Sequence, residues 1–274
     1  MKKQFIFFLL LLVLIPYIGW SQYGWLHDLK LAQAAARANN KLILIDFWAT
    51  WCGPCKRMDA EVWSKPETDL IKKNFIPVKI DIDVNRSLAQ QYNVRSIPML
   101  ILMDYEGESI HTYLGYNSEA DLLAFISKIP TNAKGLYEKI ALHDPKQENY
   151  QATKELGIAL QLLSTQTTYG PLQRAILMHS DKHFKKAAKY TVNESEKIEA
   201  ELLSILNHVY RDNPKKAIKE ATENLERYTS DSNQTLVYFI LAKAFKQSGD
   251  TVNFENYLSK LQGREDSRDY LQML

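Results

Sequence analysis

The stretch LILIDFWATWCGPCKRM, residues 42–58, sets the terms for the rest of the chain. Leu42 to Phe47 is a continuous apolar run broken by one aspartate, the pattern of a strand buried on both faces. Cys52 to Glu61 then reads as a helix, so the chain's only two cysteines fall on its first turn. At a spacing of i and i+3 they share one helix face, close enough to bond to each other. The unpaired N–H groups of a helix start favour thiolate over thiol at Cys52. An ordinary thiol of pKa ~8.5 is only about 3% ionised at pH 7. Pro54 stands where helix starts accept proline.

Three uses compete for such a pair: thiol–disulfide exchange, a structural bridge, and half of a metal site. A bridge enclosing two residues removes little chain entropy and stabilises little. Zinc needs a second ligand pair. His179 and His183, one helical turn apart, are the candidates, but they lie far along the chain among lysines and read as solvated helix-surface residues. With no other cysteine present, redox chemistry is the favoured reading and no metal or cofactor is expected.

Outward from this stretch, an amphipathic helix is expected over 26–39 and a second helix over 66–74. A strand follows over 75–81, then a helix over 86–92. Strands at 99–103 and 109–114 flank a turn at 104–107, and Ser118 caps a helix reaching about residue 128. Beyond Ile129–Gly135 the strand pattern stops. Helices are expected near 150–165, 172–190, 194–211, 214–228, 234–248 and 251–262. Leu202, Leu206, Val209, Asn213, Ile218, Ala221 and Leu225 match Tyr238, Ala242, Phe245, Gly249, Phe254, Tyr257 and Leu261 at a constant offset of 36, a degenerate repeat of helix pairs.

The chain opens with Met1, Lys2 and Lys3, runs apolar from Phe5 to Ile15, and reaches Pro16, Gly19 and Ser21 before Gln22. This order predicts a secretory signal over residues 1–21 and a periplasmic location. Counting the apolar core on through Tyr17 and Ile18 gives the alternative, an uncleaved membrane anchor. Net charge is +2 with both signs scattered, so there is no electrostatic case for nucleic acid. The expected domains are 22–130 and 131–274.

DFWATWCGPCK, Asp46 to Lys56, resembles the active-site signature of thioredoxins, and the likeness covers most of residues 26–128. VRSIPMLILM, Val94 to Met103, is similar to the family's cis-proline segment, and YLGYNSEADLLAFI, Tyr113 to Ile126, to its last strand and helix. YFILAKAFKQSGDTVNFENYLSKL, Tyr238 to Leu261, resembles a tetratricopeptide repeat. The implied architecture is an α/β thioredoxin-like fold, a mixed sheet flanked by helices, followed by an all-α, TPR-like domain.

The resemblance implies that Cys52 is the nucleophile and Cys55 the resolving thiol. Asp46 would be the buried carboxylate that takes the Cys55 proton, with its pKa raised by burial and Lys79 beside it. Pro98 would be cis, leaving the Ile97 backbone open to a substrate strand. Trp51, Gly53, Pro54 and Gly115 would complete the substrate groove, although Trp51 could equally be core. Ala60 departs from the family, replacing its helix-kinking proline, and MDAEVWSKPE, Met58 to Glu67, instead resembles exported members such as the C-terminal domain of DsbD-type relays. The implied activity is reduction or exchange of protein disulfides. A membrane thiol relay would be the electron donor, and the helical domain would dock a partner. The alternatives are a scaffold protein and a dedicated reductant for cytochrome c maturation.

Overall fold

The apolar run becomes β1 (Ile43–Trp48), an interior strand in which every residue from Ile43 to Phe47 is fully buried. A computed structural model describes residues 24–274; the expected signal, residues 1–21, lies outside the described residues. On one side β1 pairs in parallel with β2 (Ile76–Asp81), and on the other it pairs antiparallel with β3 (Met99–Met103). β4 (Ser109–Leu114) closes a four-stranded mixed sheet of order β2-β1-β3-β4 by pairing antiparallel with β3. The register sets Asp46 between Lys79 and Leu100.

The first helix, α1 (Leu29–Asn39), starts later than its apolar spacing predicts. Asp28 caps it by accepting from the Leu31 amide at 2.8 Å. Leu26 lies outside the helix because its backbone bonds beside β2 instead: its amide donates to Pro77 O at 3.0 Å and its carbonyl accepts from the Lys79 amide at 2.8 Å. After the cysteine loop come α2 (Gly53–Met58), a π-helical turn (Asp59–Trp63) and α3 (Pro66–Lys72). Then follow α4 (Arg86–Gln91) and α5 (Glu119–Ile126), the latter capped by Ser118.

Beyond β4 the described residues form only helices: α6 (Lys134–Leu142), α7 (Tyr150–Ser164), α8 (Gly170–Ala187), α9 (Glu194–Tyr210), α10 (Pro214–Thr222), α11 (Asp231–Ser248), α12 (Thr251–Gln262) and α13 (Arg268–Gln272). Neither α6 nor α13 is among the helices expected from the sequence, and α10 is shorter than the expected 214–228. It stops at Thr222, and a 3-10 turn at Leu225–Arg227 follows. The offset of 36 also needs correction. The N-caps Asn193 and Ser230 stand 37 residues apart, as do Asn213 and Asp250 and the left-handed residues Asp212 and Gly249. Caps and turns, not the apolar positions, carry the true spacing of the α9/α10 and α11/α12 hairpins.

The core of the sheet does not end with α5. Ala133, Leu136, Tyr137, Leu156, Leu160, Leu163, Leu172 and Ile176 belong to the same apolar cluster as the strands. The ring of Tyr169 lies 5.6 Å from that of Phe125, and Tyr137 donates to Lys41 O at 2.6 Å. A second core, with Phe184, Leu202, Leu206, Phe239 and Leu261 among its members, fills the interior of the later helices.

Gly157 of α7 leaves room for Phe184 of α8: a Cβ there would lie 2.5 Å from the Phe184 ring. Gly157→Ala is therefore expected to destabilise the fold by roughly 1–3 kcal/mol. Gly135→Ala in α6, with open space around it, should be neutral or gain up to ~1 kcal/mol. Urea titration of both variants checks this through the midpoint at unchanged slope.

Candidate active site

Cys52 is the N-cap of α2, and its Sγ accepts from the Cys55 amide at 3.1 Å. The two cysteines form a disulfide with their Cα atoms 5.3 Å apart. Both are buried, and they pack with Ala49 against Trp48, Ile82 and Ile97. The Ile97–Pro98 peptide is cis. Gly115 donates its amide to Pro98 O at 2.9 Å and has φ +76°, a conformation that favours glycine. Gly53 and Pro54 are exposed at the mouth of the site. Trp51 is 65% exposed rather than core, and its indole donates to Asp83 Oδ2 at 2.8 Å. The structure thus gathers Cys52, Cys55 and Ile97 directly, with Pro98 and Gly115 joined to them through the backbone and Trp51, Gly53 and Pro54 on the open side.

Beneath the site lies a group of charges. Asp46 is fully buried, and neither of its oxygens accepts a hydrogen bond among the described residues. Lys79, across from it on β2, brings Nζ within 3.9 Å of Asp46 Oδ2 and makes a closer ion pair with Asp59. The ammonium also lies 5.3 Å from the centre of the Trp25 ring and 5.4 Å from that of Trp48. Lys79 is therefore held inside the structure rather than solvated at a sheet edge. Burial is the main force on Asp46 and pushes its pKa up to about 7; Lys79 pulls it back, Asp59 pushes it further up, and Trp63 lowers it slightly.

Asp59 is the member that the sequence reading missed. It opens the π-helical turn, and its amide donates to Cys55 O, so its backbone is tied to the resolving cysteine while its carboxylate holds Lys79. Its position four residues after Cys55, on the same helix face, was the available signal. A second tie joins this helix to the loop after β4. Arg57 donates to Tyr116 O at 3.1 Å, and the Tyr116 hydroxyl donates to Glu61 Oε2 at 2.5 Å.

The expectation for His179 and His183 needs correction. Both are half-buried on α8, where the hairpin turn between β3 and β4 and helices α6 and α7 pack over them, and with His143 they line a cavity of about 400 Å³. Burial lowers the pKa of both, that of His183 to about 4. Among the described residues no cluster of three or more His, Cys, Asp or Glu side chains is arranged to hold a metal ion.

A disulfide between residues three apart, at the start of a helix and packed against the residue of a cis X-Pro bond, defines a thiol–disulfide oxidoreductase site. The thioredoxin family model matches residues 28–128. Thioredoxin of Mycobacterium tuberculosis strain H37Rv is 38% identical over 98 residues, 35% of this chain and 79% of that protein. Thioredoxin of Bacillus subtilis strain 168 is 38% identical over 94 residues, 34% of this chain and 88% of that protein. Among solved structures, the C-terminal domain of Neisseria meningitidis DsbD in its oxidised form aligns over 36% of this chain and 94% of that one, at 22% identity and a TM-score of 0.31. The chain belongs to the thioredoxin family, and Cys52 and Cys55 are its redox-active pair.

The raised pKa of Asp46 makes stability depend on pH in a definite sense. Between the ordinary value of 3.8 and about 7 the unfolded chain loses this proton before the folded one does, so stability falls as pH rises through that window. The full cost, at most about 4 kcal/mol, persists above it. Asp46→Asn should accordingly melt several degrees higher than the wild type at pH 8, with the gap closing towards pH 4. Calorimetry of the oxidised proteins across that range checks the sign.

Proposed function

We propose that this protein reduces or exchanges disulfides of protein clients outside the cytoplasm. The Cys52 thiolate attacks a client disulfide, joining Cys52 to one client sulfur and releasing the other as a thiolate. Asp46 accepts the Cys55 proton, and the Cys55 thiolate then attacks Cys52 Sγ. The second client thiol leaves and the Cys52–Cys55 disulfide remains, so two electrons have passed from the protein to the client. A dithiol donor, in this reading a membrane thiol relay, returns the pair to the reduced state.

The observation that carries the reading is the buried Asp46, poised near neutrality beside Lys79 and Asp59 and thus suited to accept and return a proton at physiological pH. The reducing direction draws on the Gly53-Pro54 dipeptide and on Ile97 before the cis proline, which match reducing members of the family. Export draws on the basic start and the apolar run from Phe5 to Ile15. Pro98, Trp51 and Gly115 are assigned to the client groove, and the TPR-like helices to partner docking.

Asp46→Asn is expected to slow insulin reduction by about 10²-fold at pH 7. The deficit should shrink near pH 9, where hydroxide can take the proton in place of the missing carboxylate. A deficit independent of pH would remove Asp46 from proton transfer. In cells, Cys55→Ala should accumulate clients as mixed disulfides on Cys52. Apocytochrome c alone among them would narrow the function to cytochrome maturation. An unchanged phenotype for Cys52→Ser would instead favour a scaffold role. The reduction potential should lie near −200 mV or below, whereas a value near −120 mV would reverse the direction.

A further inference from the structure

Along the outer face of α8 and the turn after it, Met178, Lys182, Lys185 and Lys189 follow one another at helical spacing, and all four are exposed. With Asp181, Lys186 and Tyr190 they line a cleft of about 690 Å³. Its charges are unevenly matched. Asp181, the one carboxylate in the lining, is already engaged by Arg211 and by the Asn207 side chain. Lys186 pairs with Glu148, and the exposed Lys182 has only Glu108, at 3.5 Å and itself exposed. Lys185 and Lys189 have no acidic partner among the described residues. In a chain of net charge +2 with both signs mixed, this is a local concentration of unneutralised cations. Two apolar surfaces belong to the same cleft: Met178 is 67% exposed and Tyr190 39%.

The cleft lies away from the cysteines. Lys182 reaches Glu108 in the turn between β3 and β4. Met103, which precedes that turn, pairs with Ile43 at the start of β1, whereas the cysteine loop follows the end of β1 at Trp48. The α8 cleft therefore sits by the end of the sheet opposite Cys52.

We propose that this cleft docks an extended acidic segment of a partner protein, one that alternates carboxylates with an apolar side chain. The carboxylates pair with Lys182, Lys185 and Lys189, and the apolar side chain lies on Met178 or Tyr190. A concave site with exposed apolar contacts at Met178 and Tyr190 fits a peptide better than a flat sheet of anionic headgroups, which would touch the lysine tips and leave the cleft unfilled. The inference gives the helical region a binding chemistry of its own and stands independently of the thiol reaction, since the two sites lie at opposite ends of the sheet.

The test uses the full chain and a fluorescent peptide of alternating glutamate and leucine, followed by anisotropy. Wild type should bind, and Lys185→Glu with Lys189→Glu should weaken binding at least about tenfold. Raising salt from about 50 to about 300 mM should also weaken it, because exposed charges are screened. Both proteins should reduce insulin equally, and matching thermal melts establish that the variant is folded. Equal peptide affinity in wild type and variant overturns the proposal. So does lysine-dependent binding to phosphatidylglycerol vesicles without peptide binding, which would make this face a membrane contact. Loss of insulin reduction in a Cys52→Ser control that still binds peptide would show the two sites to be separable, as the structure requires.

Discussion

A carboxylate fixed in the middle of an interior strand is the constraint around which the redox end of this molecule is built. Asp46 is fully buried and accepts no hydrogen bond among the described residues, so ionisation is costly unless a cation comes close. The parallel pairing of β2 sets Lys79 opposite it. A lone lysine there would exchange one desolvated charge for two. The π-helical turn brings Asp59 in as a second anion, and the rings of Trp25 and Trp48 face the ammonium. The result is a compact group of two acids and one base directly behind the cysteine helix, with a proton affinity near neutral pH.

The same sheet anchors the helical region. β4 presents His111 and Tyr113 to Phe125 and Tyr169, so that α5 and the entrance to α8 meet on one aromatic cluster. Ala133 donates its amide to Asn40 O at 2.7 Å, which ties the segment after α5 to the turn that launches β1. The change of pattern at 129–135 is thus a change from strands to helices rather than a gap in packing. Further along, a polar chain through Gln161, Asn207, Ser180 and Asp181 crosses the interior between α7, α8 and α9 with its hydrogen bonds satisfied. Such a chain favours one relative setting of the three helices, because any slip would leave buried polar groups unpaired.

How much of this could be read in the sequence follows from the range of the interactions. β3 and β4 were legible to the residue, since apolar runs bounded by turn residues are local signals. The start of α1 was misread because Leu26 satisfies the apolar spacing of a helix, yet its backbone is claimed by β2, a partner some fifty residues away. α6 was missed because its nine residues include a glycine and only a short apolar pattern; its stability comes from docking on the sheet's core. At the site, the cysteine pair was legible from spacing alone, whereas Asp59 was not singled out because its role depends on a π-helical turn and on Lys79 arriving from another strand. His179 and His183 looked like surface residues because helix spacing does not reveal what covers a face.

The Leu26 bridge has a bearing on the company this protein keeps. An exposed strand edge is a template onto which any extended chain can add itself, including one presented to a thiol–disulfide oxidoreductase. Here the outer edge of β2 is closed in two ways: Pro77 has no amide to offer, and Leu26 occupies the neighbouring hydrogen-bonding positions. A client strand is therefore turned away from the flank of the sheet nearest Lys79.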